Sequence, residues 1–560
     1  MSTAARYGHT IENASPDFVD PRRWLTLVIV LTATLMAGLD TTILTVAIPT
    51  ILRDFHTTLP QLQWAITGYS LTYGSMLIIG GRLSDIHGPR RIWVIGVSLF
   101  GLGSLVAALS TNVLMLVVGE GLFEGVGAAL MAPASLAILT RTFHGRERGT
   151  AFSMWAAVMG AAVAFGPVLG GFLTTEYSWR AAFVINVVIV PFVLVGMLTL
   201  TPRHHGEGVK EPLDIPGAVL VASGMAMLVF SISQGSFYGW WRPLRDFTVA
   251  GETALSSHAW LSPAPIALAL AIGLLGAFVA LERSKERRGA WPLFEFGSLR
   301  DPGLRWGLIA MLVVALGQVA FMIVISVVLQ DANHFSALET GLWLVPIGVS
   351  IVLGSQIGGW ITRRFDAVIV VRVGLGLEAL GIALTSMVLG SDVTLMQLLP
   401  CFVLFGCGFG FAGAQLNNVI LRDVPPEKAG SASGANAASR VLGGALGVAA
   451  ISAIIAGFTV HYAVANLRAE PSLSGGTRRA AVERVHGQGL ATTAPPEASP
   501  EEVATVRAAV TDAIGSAADE ALRFAAVMVL LSLAVSFRIP PEVATARAAA
   551  EAQSIAPSRA

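Results

Sequence analysis

Hydrocarbon offers no hydrogen-bond partner, so a run of about 20 apolar residues is committed to a helix that crosses a bilayer. This chain repeats such runs almost from end to end. They fall near 24–50, 62–83, 92–110, 113–139, 151–173, 181–200, 214–234 and 264–281. Six more follow near 304–329, 341–361, 368–389, 396–420, 434–458 and 522–537, about fourteen in all. The 560 residues are 54% hydrophobic and 13% charged, with a mean hydropathy of +0.69, too apolar for a soluble protein of this length. The pattern predicts an all-α polytopic membrane protein.

Lys plus Arg equals Asp plus Glu at 36 each, so no net field directs the chain to nucleic acid. Cys401 and Cys407 lie six residues apart in one apolar run, which suits neither a disulfide framework nor a metal site, and no metal is expected. The first 23 residues lack an apolar stretch, so Trp24 onward reads as an uncleaved first span. Basic residues gather in alternate short loops: Arg82, Arg90 and Arg91, then Arg141, Arg146 and Arg148, and later Arg283 to Arg288, Arg363 with Arg364, and Arg422 with Lys428. By the positive-inside rule both termini are expected in the cytoplasm. Segment 459–521 is then extracytoplasmic, read as a loose or partly helical excursion, and the Ala-rich tail 541–560 reads as disordered.

Within the first span stands a carboxylate, Asp40. A charge in hydrocarbon costs several kcal/mol, so an acid kept there is a functional-site candidate; the competing reading is a hydrogen bond to a neighbouring helix. The fourth span adds Glu120 and Glu124, four apart on one helical face with about 6 Å of rise between them. Glu124 is expected at a depth close to Asp40. Neighbouring carboxylates in low dielectric cannot all be ionised, and a group that keeps a proton there can take it up on one side and release it on the other. The alternative has Glu120 at the outer interface and only Glu124 buried. Among neutral polar residues in the second half, Gln318, Gln415, Asn417 and Asn418 are candidates for a cavity lining, although amides also glue helices together. Arg440 is expected to snorkel out of its span, and Glu378 to pair structurally.

The stretch Gly81-Arg82-Leu83-Ser84-Asp85-Ile86-His87-Gly88-Pro89-Arg90-Arg91 combines a glycine-bearing turn with one acid and several arginines. Such charges can pair across helix ends and separate when two halves rock. In the fifth span Gly160, Ala164, Pro167 and Gly171 share one face, with Gly166 and Gly170 beside them, a small-residue stripe that a partner helix can approach closely. The chain also repeats itself: Ile79-Gly80-Gly81, Gly96 and Gly103 match Ile357-Gly358-Gly359, Gly374 and Gly381 at one constant offset, and Gly149, Ala151 and Ala156 match Gly430, Ala432 and Ala437 at a slightly different one. Parallel repeats of six helices are a transporter architecture with substrate bound at midplane between halves.

On these residues the chain resembles the major facilitator superfamily, and within it the fourteen-helix drug:proton antiporters of bacteria. Leu39-Asp40-Thr41-Thr42 through Pro49 is similar to that group's first-helix motif, Gly81 to Arg91 to the gating loop, and Gly160 to Gly171 to the antiporter motif. Trp179-Arg180 with Phe183 and Asn186, and Pro425 to Gly430, also resemble family signatures. The resemblance implies two six-helix halves, 24–200 and 301–540, with two extra helices in 201–300 and a cytoplasmic N-tail 1–23. There are departures. Ile86 and Pro89 stand where arginines are common, and the fourth span has Gly121 where an arginine is usual.

Together these readings predict a plasma-membrane exporter of amphipathic, cationic or lipophilic drugs, working as a monomer by alternating access. The proton is its coupling ion and it has no cofactor. An aromatic, acid-lined cavity suits lipophilic cations. A dedicated exporter of a self-made antibiotic, lipid or siderophore, or a proton-coupled importer, shares the architecture. An enzyme is not expected, since the chain has no HExxH, no GxSxG nucleophile turn and no P-loop.

Overall fold

The computed structural model describes residues 21–57, 59–201, 212–249, 252–332, 335, 337–389, 394–488 and 498–541. The tail expected to be disordered thus lies almost wholly outside them. The first half consists of α1 (Arg23–Asp54), α2 (Leu59–His87), α3 (Pro89–Ala108), a composite fourth traverse, α6 (Gly145–Glu176) and α7 (Arg180–Leu200). The composite traverse runs from α4 (Val113–Leu116) through a π-helical segment (Val117–Glu124) into α5 (Gly125–Thr142). Then come α8 (Ile215–Tyr238) and α9 (Pro263–Arg288), with an antiparallel pair β1 (Phe247–Val249) and β2 (Glu252–Leu255) between them. The second half holds α10 (Pro302–Val327), α11 (Ala337–Ile361), α12 (Ala367–Val388), α13 (Leu395–Ile420), α14 (Ala429–Ala469), α15 (Gly475–Gln488) and α16 (Pro500–Ser536).

Local chemistry sets the helix ends. Gly88 takes a positive φ of 86° between α2 and α3, and Pro89 opens the next helix, where its missing N–H is no loss. The Asp301 and Asp366 side chains accept amide protons at the starts of α10 and α12. α9 stops at the left-handed Gly289, after Lys285, Arg287 and Arg288 in its last turn, where cations meet the negative end of the helix dipole.

Eleven helical stretches among the described residues are long and apolar enough to cross a bilayer. α2, α6 and α16 are not among them. α2 and α6 lie between the halves, each covered by helices of both, so neither must be apolar all round. The first half of α16 carries Glu501, Glu502, Arg507 and Asp512 and is too polar to be read as a span. It packs with the end of α14 and with α15 around Leu467, Leu473, Val485, Val506 and Val510. The described part of 459–521 is therefore largely helical with its own apolar core, the second of the two alternatives expected; Pro495 and Pro496 lie outside the described residues.

The packing repeats. α2 lies on α5 as α11 lies on α13; α3 touches α5 and α7 as α12 touches α13 and α16; α1 packs on α6 as α10 packs on α14. Across the middle, α2 meets α14 and α6 meets α11. The repeat seen in sequence sits at these crossings. A Cβ on Gly81 would stand 2.4 Å from the Gly430 carbonyl oxygen, and one on its counterpart Gly359 would stand 2.3 Å from Ser153 Oγ, so only glycine lets the helices come so close. The α8–α9 pair leans on α2 and α14 through α8, where Gln234 Nε2 donates to Thr67 Oγ1 at 2.6 Å.

Candidate functional site

Asp40, Glu120 and Glu124 are brought together. One carboxylate oxygen from each lies within 4.8 Å of the others, and their exposures are 4%, 1% and 0%. Glu120, one of the residues the sequence left open, is thus inside the bundle and not at an interface. Both glutamates ride on the π-helical segment, a wider turn than the α-helix assumed from the spacing, and one often found at functional sites. Asn186 on α7 donates its Nδ2 to Asp40 Oδ1 at 2.8 Å. Glu124 lies against the Asp40 carboxyl and the Ser104 hydroxyl. Three carboxyls this close in low dielectric hold at least one proton among them. Carboxylate oxygens in this arrangement would also serve a hard cation, and the Asn186 donor is compatible with either use.

Beside the triad is Tyr69, close to all three carboxyls and stacked on Tyr73 with centroids 5.8 Å apart. Both tyrosines face a cavity of about 710 Å³ lined from α1, α2, α5 and α6 of one half and α10, α11, α13 and α14 of the other. Its wall is chiefly apolar, with Trp155, Met131 and Phe409 among the larger groups. Two of the four amides named from sequence, Gln318 and Asn417, reach it. The other two do not: Gln415 is fully buried and donates across the halves to Ser153 Oγ at 3.0 Å, and Asn418 donates to Gln415 Oε1 at 3.4 Å. The expected acid-lined cavity is also corrected, because none of the three carboxyls is in the wall. Arg440 is in it instead of snorkelling away, 5.0 Å from the Trp155 centroid. Glu378 has no ion pair among the described residues and lies fully buried beside Gln318.

At one end of the bundle Asp85 ties the halves together. Its carboxylate accepts the backbone N–H of Gly430 and of Ser431 at 2.7 Å each, and the Ser431 hydroxyl as well. These N–H groups open α14, where the helix dipole favours an anion. Arg141 Nε reaches the Pro426 carbonyl at 3.0 Å and Arg148 the Leu421 carbonyl at 2.6 Å, so three side chains of the first half grip the second. Arg90 is not one of them: it donates to the Met197 and Leu198 carbonyls at 2.9 and 3.0 Å, closing the end of α7 within its own half. Arg82 is buried next to this region and Arg91 is exposed.

The glycine stripe of α6 serves two neighbours. A Cβ at Gly160 would meet Ile351 Cγ2 of α11 at 2.3 Å, and one at Gly170 would meet Ile43 Cα of α1 at 2.9 Å. Gly166 is buried and Gly171 half-buried; the Pro167 ring lies outside the described side chains. Asn186 and Arg440 are the residues whose roles the sequence reading missed. Asn186 belonged to a recognised signature, and Arg440 was read as snorkelling out of its span.

Known proteins agree with this architecture. The sequence model of the Major Facilitator Superfamily matches residues 30–448. A cephamycin export protein of Amycolatopsis lactamdurans is 33% identical, over 76% of this chain and 83% of its own length. A puromycin resistance protein of Streptomyces alboniger is 31% identical over 81% of this chain and 86% of its own length. A tetracenomycin C resistance and export protein of Streptomyces glaucescens is 30% identical, over 80% and 79%. The crystal structure of a human organic anion transporter superposes with a TM-score of 0.55 at 15% identity, covering 92% of this chain and 100% of that one, a likeness of fold. Two halves repeating one packing pattern around a shared cavity, together with these matches, make the chain a transporter and not an enzyme, a member of the Major Facilitator Superfamily in its group of antibiotic and multidrug exporters.

Proposed function

We propose that the protein exports amphipathic drugs or antibiotics in exchange for protons by alternating access. The observation that carries the coupling is the buried triad of Asp40, Glu120 and Glu124, close to Tyr69 in the wall of the cavity between the halves. A proton on the triad favours one facing of the cavity and its loss the other. Because none of the three acids is in the cavity wall, cargo and proton are coupled through movement of the helices that carry them and not by contact. In this reading the chain spans a bacterial plasma membrane fourteen times as a monomer, both termini are cytoplasmic, and the Asp85 latch is the cytoplasmic gate. Drug or dye efflux from energised cells tests it: Asp40→Asn abolishes proton-coupled efflux while dye binding survives. Unchanged coupled efflux in that variant would sink the proposal.

A narrower reading, export of one self-made antibiotic, is favoured by relatives named for cephamycin and tetracenomycin C export. A susceptibility panel in a pump-deficient host, with and without a protonophore, separates the two: protection against many unrelated compounds supports the broad reading, protection against one chemical class the narrow one.

A further inference from the structure

Among the described residues, the cavity wall carries one charged side chain, and it is the cation Arg440. Its guanidinium lies 5.0 Å from the Trp155 centroid and beside Tyr73. No carboxylate among the described residues pairs with it, and the three acids of the first half are outside the wall. Other arginines of the bundle are engaged by backbone carbonyls: Arg90 at Met197 and Leu198, Arg148 at Leu421, and Arg372 at Ser536 and Ile539, the last two at 3.2 Å each. Those contacts close helix ends, a structural use. Ring faces attract a cation without neutralising it, and a guanidinium in a low-dielectric cavity still lacks its counter-charge.

We propose that Arg440 is the cargo-recognition residue, and that the preferred cargo is an amphipathic anion or zwitterion, an aromatic or polycyclic body bearing a carboxylate or similarly acidic group. The planar fork of a guanidinium matches a carboxylate with two parallel hydrogen bonds. Trp155, Tyr69 and Tyr73 offer faces for the ring system, and Gln318 and Asn417 offer neutral hydrogen bonds from the second half. The proposal rests on the exporter reading and narrows its substrate class, replacing the lipophilic cation expected from sequence. Cargo charge and proton then occupy different atoms in different halves. Moving an anion outward and a proton inward displaces charge in the same sense, so a membrane potential negative inside drives both steps.

The test uses the full-length protein in nanodiscs and fluorescence anisotropy with two probes. One is a rhodamine with a free carboxylate, a zwitterion; the other is its ethyl ester, a cation with the same rings. The wild type binds the acid more tightly. Arg440→Gln weakens the acid about tenfold to a hundredfold, the size of a lost charge-assisted contact, and leaves the ester within about twofold. Arg440→Lys recovers part of the acid binding. Equal affinity of the two dyes for the wild type, tighter binding of the ester, binding of neither, or parallel loss of both dyes in Arg440→Gln and Arg440→Lys would each overturn the proposal. Binding is read without a proton gradient. If efflux of the acid from proteoliposomes ignores an imposed pH gradient, proton exchange at the triad fails while the Arg440 assignment stands.

Discussion

Asp40 holds one oxygen on Asn186 and lies against the Glu124 carboxyl inside the bundle. Removing Asn186 takes away a neutral donor that reaches that carboxyl from another helix. Asn186→Ala is expected to lower coupled efflux about tenfold with dye binding kept, the scale of one hydrogen bond to a charged group; efflux assays beside anisotropy check it. Outside the span, Asp54 shows how pH acts on a surface tie. Arg180 Nη1 at 2.6 Å and Trp179 Nε1 at 3.0 Å hold its carboxyl below the ordinary aspartate value. Its folded-state value is depressed, so the stabilisation is present above the unfolded value and is lost as pH falls through the folded one. Melting temperatures across pH will therefore show wild type above Asp54→Asn near neutrality and the two converging in acid. The presence of Asp40 was legible in sequence because a carboxylate in an apolar run stands out locally. Its partner Asn186, 146 positions away, was not.

At the scale of elements, run length and glycine spacing located the helices and the repeat, since both are properties of contiguous sequence. Two features needed the structure. The π-helical segment at Val117–Glu124 is set by packing of the fourth traverse against α2 and α3, not by propensity. The helical packing within 459–521 is set by apolar residues from three separate segments meeting each other. Its α16 begins with a capping box in which Ser499 Oγ accepts the Glu502 N–H at 3.2 Å and Glu502 accepts the Ser499 N–H, also at 3.2 Å. Ser499→Ala is expected to destabilise that end by about 1 kcal/mol, seen as faster amide hydrogen exchange at the start of α16 with the rest of the bundle unchanged. On α6, Gly160→Leu drives a side chain into Ile351 and is expected to stop efflux by prising α6 from α11, with cysteine cross-linking between those helices reporting the loss of contact.

Over the whole molecule, the Asp85 contact ties the two halves at one end of the bundle, and the proposed gate puts it in control of the facing of the cavity. Asp85 makes charge-assisted hydrogen bonds to the first amides of α14, and their loss removes about 1.5–3 kcal/mol from the closed arrangement. Asp85→Ala is thus expected to shift the population toward an open latch by about tenfold or more, measured as longer spin-label distances between α2 and α14. Unchanged distances would mean that Asp85 does not set the facing. The sequence alone determined that this chain crosses a membrane many times, that its halves repeat, and which family it resembles. Those follow from run length, spacing and short motifs, all local. Only the tertiary structure decided that the three acids lie together near Tyr69, that Gln415 bridges the halves, and that the cavity wall holds the charge of Arg440. A helix that is apolar on most sides carries little hydrophobic asymmetry to fix its rotation, so which residues face a cavity is settled by the neighbouring helices.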